Sequence, residues 1–136
     1  MKYIQTLAAI VILLVASFVS GQEWTEKKVV ATVDSDGVQR VEITGGSYFF
    51  DPNVIVVKVN VPVELKVKKE GSTPHNIVLK APEAGMDFDE SLGKEPKTIK
   101  FTPTKVGKYP FECTKKAPFS KSHSDRGMHG ILEVVE

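Results

Sequence analysis

Residues 107–135 read G-K-Y-P-F-E-C-T-K-K-A-P-F-S-K-S-H-S-D-R-G-M-H-G-I-L-E-V-V, and this stretch decides how the chain is interpreted. Apolar residues alternate with other residues at both of its ends, which predicts β-strands over about 108–113 and 130–135. A period of two places Tyr109, Phe111 and Cys113 on one face of the first strand. If the two aromatic rings face the core, the Cys113 thiol points inward at the end of that strand.

Short alternating runs with turn residues between them recur along the rest of the chain. Further strands are predicted over about 28–33, 38–44, 47–50, 54–59, 62–69, 75–80 and 97–102. Together they give eight strands, or nine if the last two are counted separately. This predicts an all-β fold, an antiparallel Greek-key β-sandwich. The stretch from Ala81 to Pro96 breaks the alternation, and we expect a long connection there with at most one helical turn.

The N-terminus has the pattern of a secretory signal peptide. Lys2 precedes an apolar run from Leu7 to Val19, and small residues end at Gly21. We therefore expect a signal over residues 1–21 and one domain over 22–136, with an exported, periplasmic or extracytoplasmic location. The alternative is an uncleaved membrane anchor, although the run is short for a span of about 20 residues.

Charge and cysteine content narrow the classes of function. Without Lys2, the 18 basic residues become 17 and balance the 17 acidic ones, because residues 1–21 contain no acid. This balance argues against nucleic-acid binding and against general membrane-surface binding. The single cysteine cannot form an internal disulfide, so in an oxidising compartment it is buried, paired with another chain, or bound to a ligand.

Four side chains form a candidate metal site: His75, Cys113, His123 and Met128. A thiolate, two imidazoles and a weak thioether are the donors of a trigonal copper site with a long axial methionine. Zinc is the competing metal, but it does not call for methionine, and the paired Cys-x-x-Cys motif is absent from the sequence. A Cys–His nucleophilic enzyme would need a third orienting group and an oxyanion site, and neither shows in the sequence. An adhesive sandwich without metal is a further alternative.

The motifs around these residues resemble those of plastocyanins and related cupredoxins. The resemblance lies in P-H-N-I-V (residues 74–78), G-K-Y-P-F-E-C (107–113) and H-S-D-R-G-M-H-G-I-L-E-V (123–134), with S-Y-F-F-D-P-N-V-I-V-V-K-V-N (47–60) upstream. It covers nearly all of the chain after the signal, in the expected order.

The resemblance implies the role of each residue. His75, Cys113 and His123 would be equatorial ligands of one copper ion per chain, and Met128 the axial ligand. Asn76 would tie the two ligand segments together. The protein would pass single electrons between redox partners through the Cu(I)/Cu(II) couple, and would not be an enzyme.

The chain departs from the family in the segment that we call the Cys–His loop, residues 114–122, which places nine residues between the two ligands. These residues could form a protrusion that preserves the site, or could open it into a red, nitrosocyanin-like site with small-molecule reactivity. A carrier that delivers copper to an oxidase or reductase is a further alternative. His129 competes with His123 as a ligand, but alternation from Met128 turns it outward, which favours His123.

The Cys–His loop is also rich in positive charge. The loop and the residues just after it carry four basic residues and only one acidic residue: Lys115, Lys116, Lys121 and Arg126 against Asp125. Two interpretations remain open from sequence: a docking face for an acidic redox partner, or a solvated loop.

Overall fold

The computed structural model of the protein describes residues 24–136, so the predicted signal at 1–21 lies outside the described residues. Ten strands and one short turn of 3₁₀ helix (Pro82–Ala84) make up the described part. The strands are β1 Lys28–Val30, β2 Gln39–Gly46, β3 Phe49–Asp51, β4 Val54–Lys58, β5 Val63–Lys69, β6 Asn76–Ala81, β7 Met86–Ser91, β8 Lys97–Phe101, β9 Gly107–Glu112 and β10 His129–Val135. No helix in this range is long and apolar enough to cross a bilayer.

The strands form two sheets, which confirms the predicted all-β sandwich. One sheet has six strands in the order β1-β4-β10-β9-β6-β7, and the other has four in the order β3-β2-β5-β8. Most neighbouring pairs are antiparallel, but β4 runs parallel to both β1 and β10, and β2 runs parallel to β5. These parallel pairs join strands that are distant in sequence, which a local pattern cannot reveal.

The apolar side of each alternating strand faces the space between the sheets. In β5, Val63, Leu65 and Val67 are buried, while Lys66 and Lys68 are exposed. Burying one apolar side chain contributes about 1.5–3 kcal/mol, so a shift of register by one residue would lose several such contributions at once. The pairing of the strands, and with it the position of each strand end, is therefore strongly determined.

The prediction for Ala81–Pro96 is wrong in one respect, since this stretch contains β7. The strand pairs antiparallel with β6 from Ala81↔Met86 to Asn76↔Ser91. Met86 and Phe88 face the core, and Lys80 forms an ion pair of 2.9 Å with Asp87 across the two strands. Aspartate is rare in strands, so the acidic residues of β7 give it a sequence that does not predict a strand.

Candidate metal centre

Three neighbouring strands of the six-stranded sheet bring the predicted ligands to one end of the sandwich. Cys113 follows β9 directly, His75 precedes β6, and Met128 precedes β10. The pairings His129↔Glu112 and Val78↔Glu112 align these strand ends beside one another. The predicted parity of β9 is confirmed, because Phe111 and Cys113 are buried and Glu112 is exposed.

The donor atoms of His75, Cys113 and His123 form a compact triangle. The Nδ1 atoms of the two histidines are 3.2 Å apart. The Cys113 Sγ lies 3.5 Å from Nδ1 of His123 and 4.0 Å from Nδ1 of His75. All three residues are buried, with exposed fractions of 2% for His75, 0% for Cys113 and 7% for His123.

The size of this triangle fits a metal ion. A triangle with sides of 3.2, 3.5 and 4.0 Å has a circumradius of about 2.1 Å, so one point lies at that distance from all three atoms. Typical bonds to a borderline-soft ion such as Zn²⁺ are about 2.0–2.1 Å to histidine nitrogen and about 2.3 Å to cysteine sulfur. The spacing of the three donor atoms therefore matches trigonal coordination of a metal ion.

The electrostatics of the site keep the two imidazoles neutral. Burial lowers the pKa of His75 to about 4, with the neighbouring His123 and Lys69 adding to the effect. Burial also lowers the pKa of His123, and the positive charge of Arg126 acts in the same direction. A neutral imidazole has a free lone pair, so both histidines are ready to bind a metal at neutral pH.

Met128 is hydrogen-bonded through its backbone to both Cys113 and His123. Its carbonyl accepts a hydrogen bond of 3.1 Å from the Cys113 N–H, and its N–H donates one of 3.0 Å to the His123 carbonyl. Its side chain is fully buried. The methyl group lies 3.1 Å from where a Cβ on Gly45 would stand, so the absence of a side chain at Gly45 makes room for Met128.

Asn76 joins the two ligand segments, as expected. Its Oδ1 accepts a bond of 2.8 Å from the Thr114 N–H, and its Nδ2 donates one of 2.8 Å to the Thr114 hydroxyl. Its Nδ2 also donates to Asp89 at 3.1 Å. The Asn76 backbone N–H points at the Cys113 sulfur, 3.5 Å away. Asn76 thus holds His75, its neighbour in sequence, in a fixed position relative to Cys113.

Two residues beside the site, Ser47 and Tyr48, are not predicted from the sequence. The Ser47 hydroxyl lies 3.4 Å from Nε2 of His75, the ring nitrogen that faces away from the triangle. The Tyr48 ring packs on His123 with centroids 4.8 Å apart, and the Arg126 guanidinium lies 5.0 Å from the centre of the Tyr48 ring. Both residues open the 47–60 stretch that carries the family resemblance, but that stretch contains no predicted ligand, so only the structure shows their contacts with His75 and His123.

His129 lies apart from the donor triangle. Its ring stacks on Trp24 with centroids 5.8 Å apart and an angle of 3° between the planes. The Trp24 indole N–H donates a hydrogen bond of 3.0 Å to the His129 carbonyl. The metal-ligand cluster among residues 24–136 consists of His75, Cys113 and His123 and does not include His129.

Comparison with protein families assigns the chain to a family. The model of the cupredoxin-like domain matches residues 7–125, and the chain belongs to that family. No curated protein sequence matches the chain.

Solved structures show the same fold. The metal-binding domain of the Cu(I)-exporting P-type ATPase CopA of Streptococcus pneumoniae D39 is 23% identical, with a TM-score of 0.60 over 82% of this chain and 99% of that one. A copper-binding protein solved in its apo form is 22% identical, with a TM-score of 0.59 over 83% and 100% of the two chains. Auracyanin from Roseiflexus castenholzii is 24% identical, with a TM-score of 0.54 over 78% and 99%.

Proposed function

We propose that this protein is an exported carrier of single electrons with one type 1-like copper ion per chain. His75, Cys113 and His123 would bind the copper in a plane, and Met128 would be the weak axial ligand. The observation that carries the proposal is the buried triangle of two imidazole nitrogens and one thiol sulfur, with its circumradius of about 2.1 Å. When bound, copper supplies a one-electron couple between Cu(I) and Cu(II).

The surrounding residues favour electron transfer because they hold the donors still. Cys113, His75 and Met128 are each anchored beside the end of a paired strand, and Asn76 ties Cys113 to His75 through Thr114. Donors that keep one geometry in both oxidation states lower the reorganisation that each electron transfer needs. The N–H of Asn76 that faces the Cys113 sulfur stabilises negative charge there, which is a known means of tuning the reduction potential.

Burial distinguishes this proposal from an open, red copper site. Both sulfur-bearing residues, Cys113 and Met128, have an exposed fraction of 0%, and His123 has only 7%. The long Cys–His loop leaves the donor triangle intact, because the His123 N–H is bonded to the Lys115 carbonyl at 2.9 Å. This bond closes the loop, and the burial of the donors supports a closed site over an open one.

A copper carrier is the second candidate. It is favoured by the structural likeness to the CopA metal-binding domain and to the apo copper-binding protein, both named for copper binding. Such a carrier would pass copper to an oxidase, a reductase or another copper-accepting protein.

Chelator exchange and voltammetry separate the two candidates. An electron carrier retains copper in excess chelator and shows a reversible one-electron wave on an electrode. Rapid transfer of the metal to the chelator, with an irreversible wave, would favour the copper carrier and contradict our first choice. Export, the remaining part of the proposal, is tested by expressing residues 1–136 in a bacterial host and determining the N-terminus of the periplasmic protein.

A further inference from the structure

The Cys–His loop presents one aromatic ring entirely to solvent. Phe119 has an exposed fraction of 111%, whereas Val30, the next most exposed large apolar residue among residues 24–136, has 66%. The backbone of Phe119 has a φ of 57°, a left-handed conformation that is a rare outlier for a bulky residue. The loop thus directs this ring away from the protein at a cost in backbone energy.

Hydrogen bonds hold the loop in that shape. The Ser120 N–H donates to the Ala117 carbonyl at 3.2 Å, which closes a turn around Phe119. The Ser120 hydroxyl accepts a bond of 2.8 Å from the Arg126 guanidinium. Since Arg126 also lies over Tyr48, the base of the loop is tied to the aromatic ring that packs on His123. Contacts from Ser120 through Arg126 and Tyr48 thus connect the turn around Phe119 to His123.

Unpaired positive charges flank the exposed ring in the sequence. Lys115, Lys116, Lys121 and Arg126 are all exposed, and none of them forms a salt bridge with any residue in the range 24–136. Elsewhere in the described residues Lys27, Arg40, Lys80 and Lys100 each pair with a carboxylate, while other lysines are also unpaired, so what sets this loop apart is that its charges lie close in sequence to an exposed aromatic ring. Aromatic side chains are enriched at the centre of protein–protein interfaces, and the rim around them is polar.

We propose that the Cys–His loop is the docking element for a protein partner with an apolar socket surrounded by carboxylates, and that Phe119 is its anchor. The loop joins two proposed copper ligands, Cys113 and His123, so a partner seated on Phe119 would bind to the segment that connects them. Charge complementarity selects the acidic partner and speeds its approach. A membrane is the weaker choice of partner, because even a whole myristoyl chain gives only marginal membrane binding.

The inference builds on the proposed function, and its test uses metal-free protein so that the two can fail separately. The probe is a blocked synthetic peptide of aspartate and glutamate interrupted by leucines, titrated into ¹⁵N-labelled protein. A lysine peptide with the same leucine spacing is the control. We expect amide shifts concentrated at residues 114–126 with the acidic peptide only.

Matched variants locate the anchor and the charges. Phe119→Ser should raise the Kd for the acidic peptide about tenfold, which is about 1.4 kcal/mol. Val106→Ser should leave it unchanged, because Val106 is also exposed but precedes β9, at the end opposite Cys113. A double Lys115→Glu, Lys121→Glu variant should weaken binding, whereas Lys66→Glu, Lys68→Glu on β5 should not.

Three results would overturn the proposal. Shifts spread over the sheets, or equal effects of the loop variants and their controls, would show that docking is not centred on this loop. Sedimentation of the wild-type protein with vesicles of equal parts phosphatidylcholine and phosphatidylglycerol, lost in Phe119→Ser, would make the loop a membrane anchor instead. The variants remain testable as folded proteins, because Phe119 contributes no buried surface to the core.

Discussion

Replacing Asn76 by alanine should weaken both the fold and the metal site. The side chain is 3% exposed, and it forms two hydrogen bonds with Thr114 and one with Asp89. Each neutral bond contributes about 0.5–1.5 kcal/mol, and leaving the Thr114 N–H without its partner adds a further cost of similar size. The bond to Asp89 adds less, since that carboxylate is exposed and regains water.

The sum predicts a loss of about 2–3 kcal/mol in the free energy of unfolding, or a Tm lower by about 10 °C for a domain of this size. Urea unfolding of the metal-free protein measures it. Copper affinity, measured by competition with a chelator, should fall by about 10–100-fold, as is typical when a residue that orients the ligands is lost.

Asn53→Ala is the matched control for this change. Asn53 is 5% exposed and also makes side-chain bonds to two backbone groups, Lys27 N–H and the Thr25 carbonyl. It holds the N-terminal segment and not the ligands, so its loss should lower stability without changing copper affinity. The reasoning is refuted if Asn76→Ala unfolds at the wild-type urea concentration, or if both variants weaken copper binding equally.

Three further predictions concern the donors and their surroundings. Gly45→Ala places a Cβ 2.7 Å from Leu92 Cδ1 and 3.1 Å from the Met128 methyl, so both side chains must shift, at a cost of about 1–3 kcal/mol. The shift of Met128 should alter the electron paramagnetic resonance spectrum of the copper form, and an unchanged spectrum would contradict an axial role for Met128. His129→Ala should leave visible absorption at the wild-type intensity while His123→Ala abolishes it, and the reverse pattern would exchange their roles. Burial lowers the pKa of His75 to about 4, so between pH 6.5 and 4 the unfolded chain binds a proton at this residue and the folded chain does not. The free energy of unfolding of the metal-free protein should therefore fall by on the order of 3 kcal/mol as the pH is lowered over that interval. A urea midpoint that does not change with pH, or the same pH dependence in His75→Gln, would contradict this.

The sequence predicts most of the architecture because alternation and turn residues report local structure. The alternation of Tyr109, Phe111 and Cys113 correctly predicts the inward direction of the thiol. The same local signals cannot show which strands become neighbours, so the parallel pairing of β4 with β10 is visible only in the structure. The acidic edge strand β7 is not predicted from the sequence, because its stability comes from pairing with β6 and not from β-propensity.

Residue types and spacing predict the donor set, but the surroundings of the site depend on tertiary packing. Trp24 and His129 are 105 positions apart and nevertheless stack, and Tyr48 packs on His123 from the turn between β2 and β3. The lysines of the Cys–His loop are evident in the sequence, but the complete exposure of Phe119 is not. An apolar residue after Ala117-Pro118 is as compatible with covering the metal as with pointing away from it.

The most direct test of the copper site is titration of the metal-free protein with Cu(II), followed by visible absorption and electron paramagnetic resonance. The donor triangle predicts saturation at one copper per chain, with an intense thiolate-to-copper absorption band that the Cys113→Ser variant lacks. A colourless Cu(II) complex, or a Cys113→Ser variant that binds copper as tightly as the wild type, would contradict the assignment of these donors.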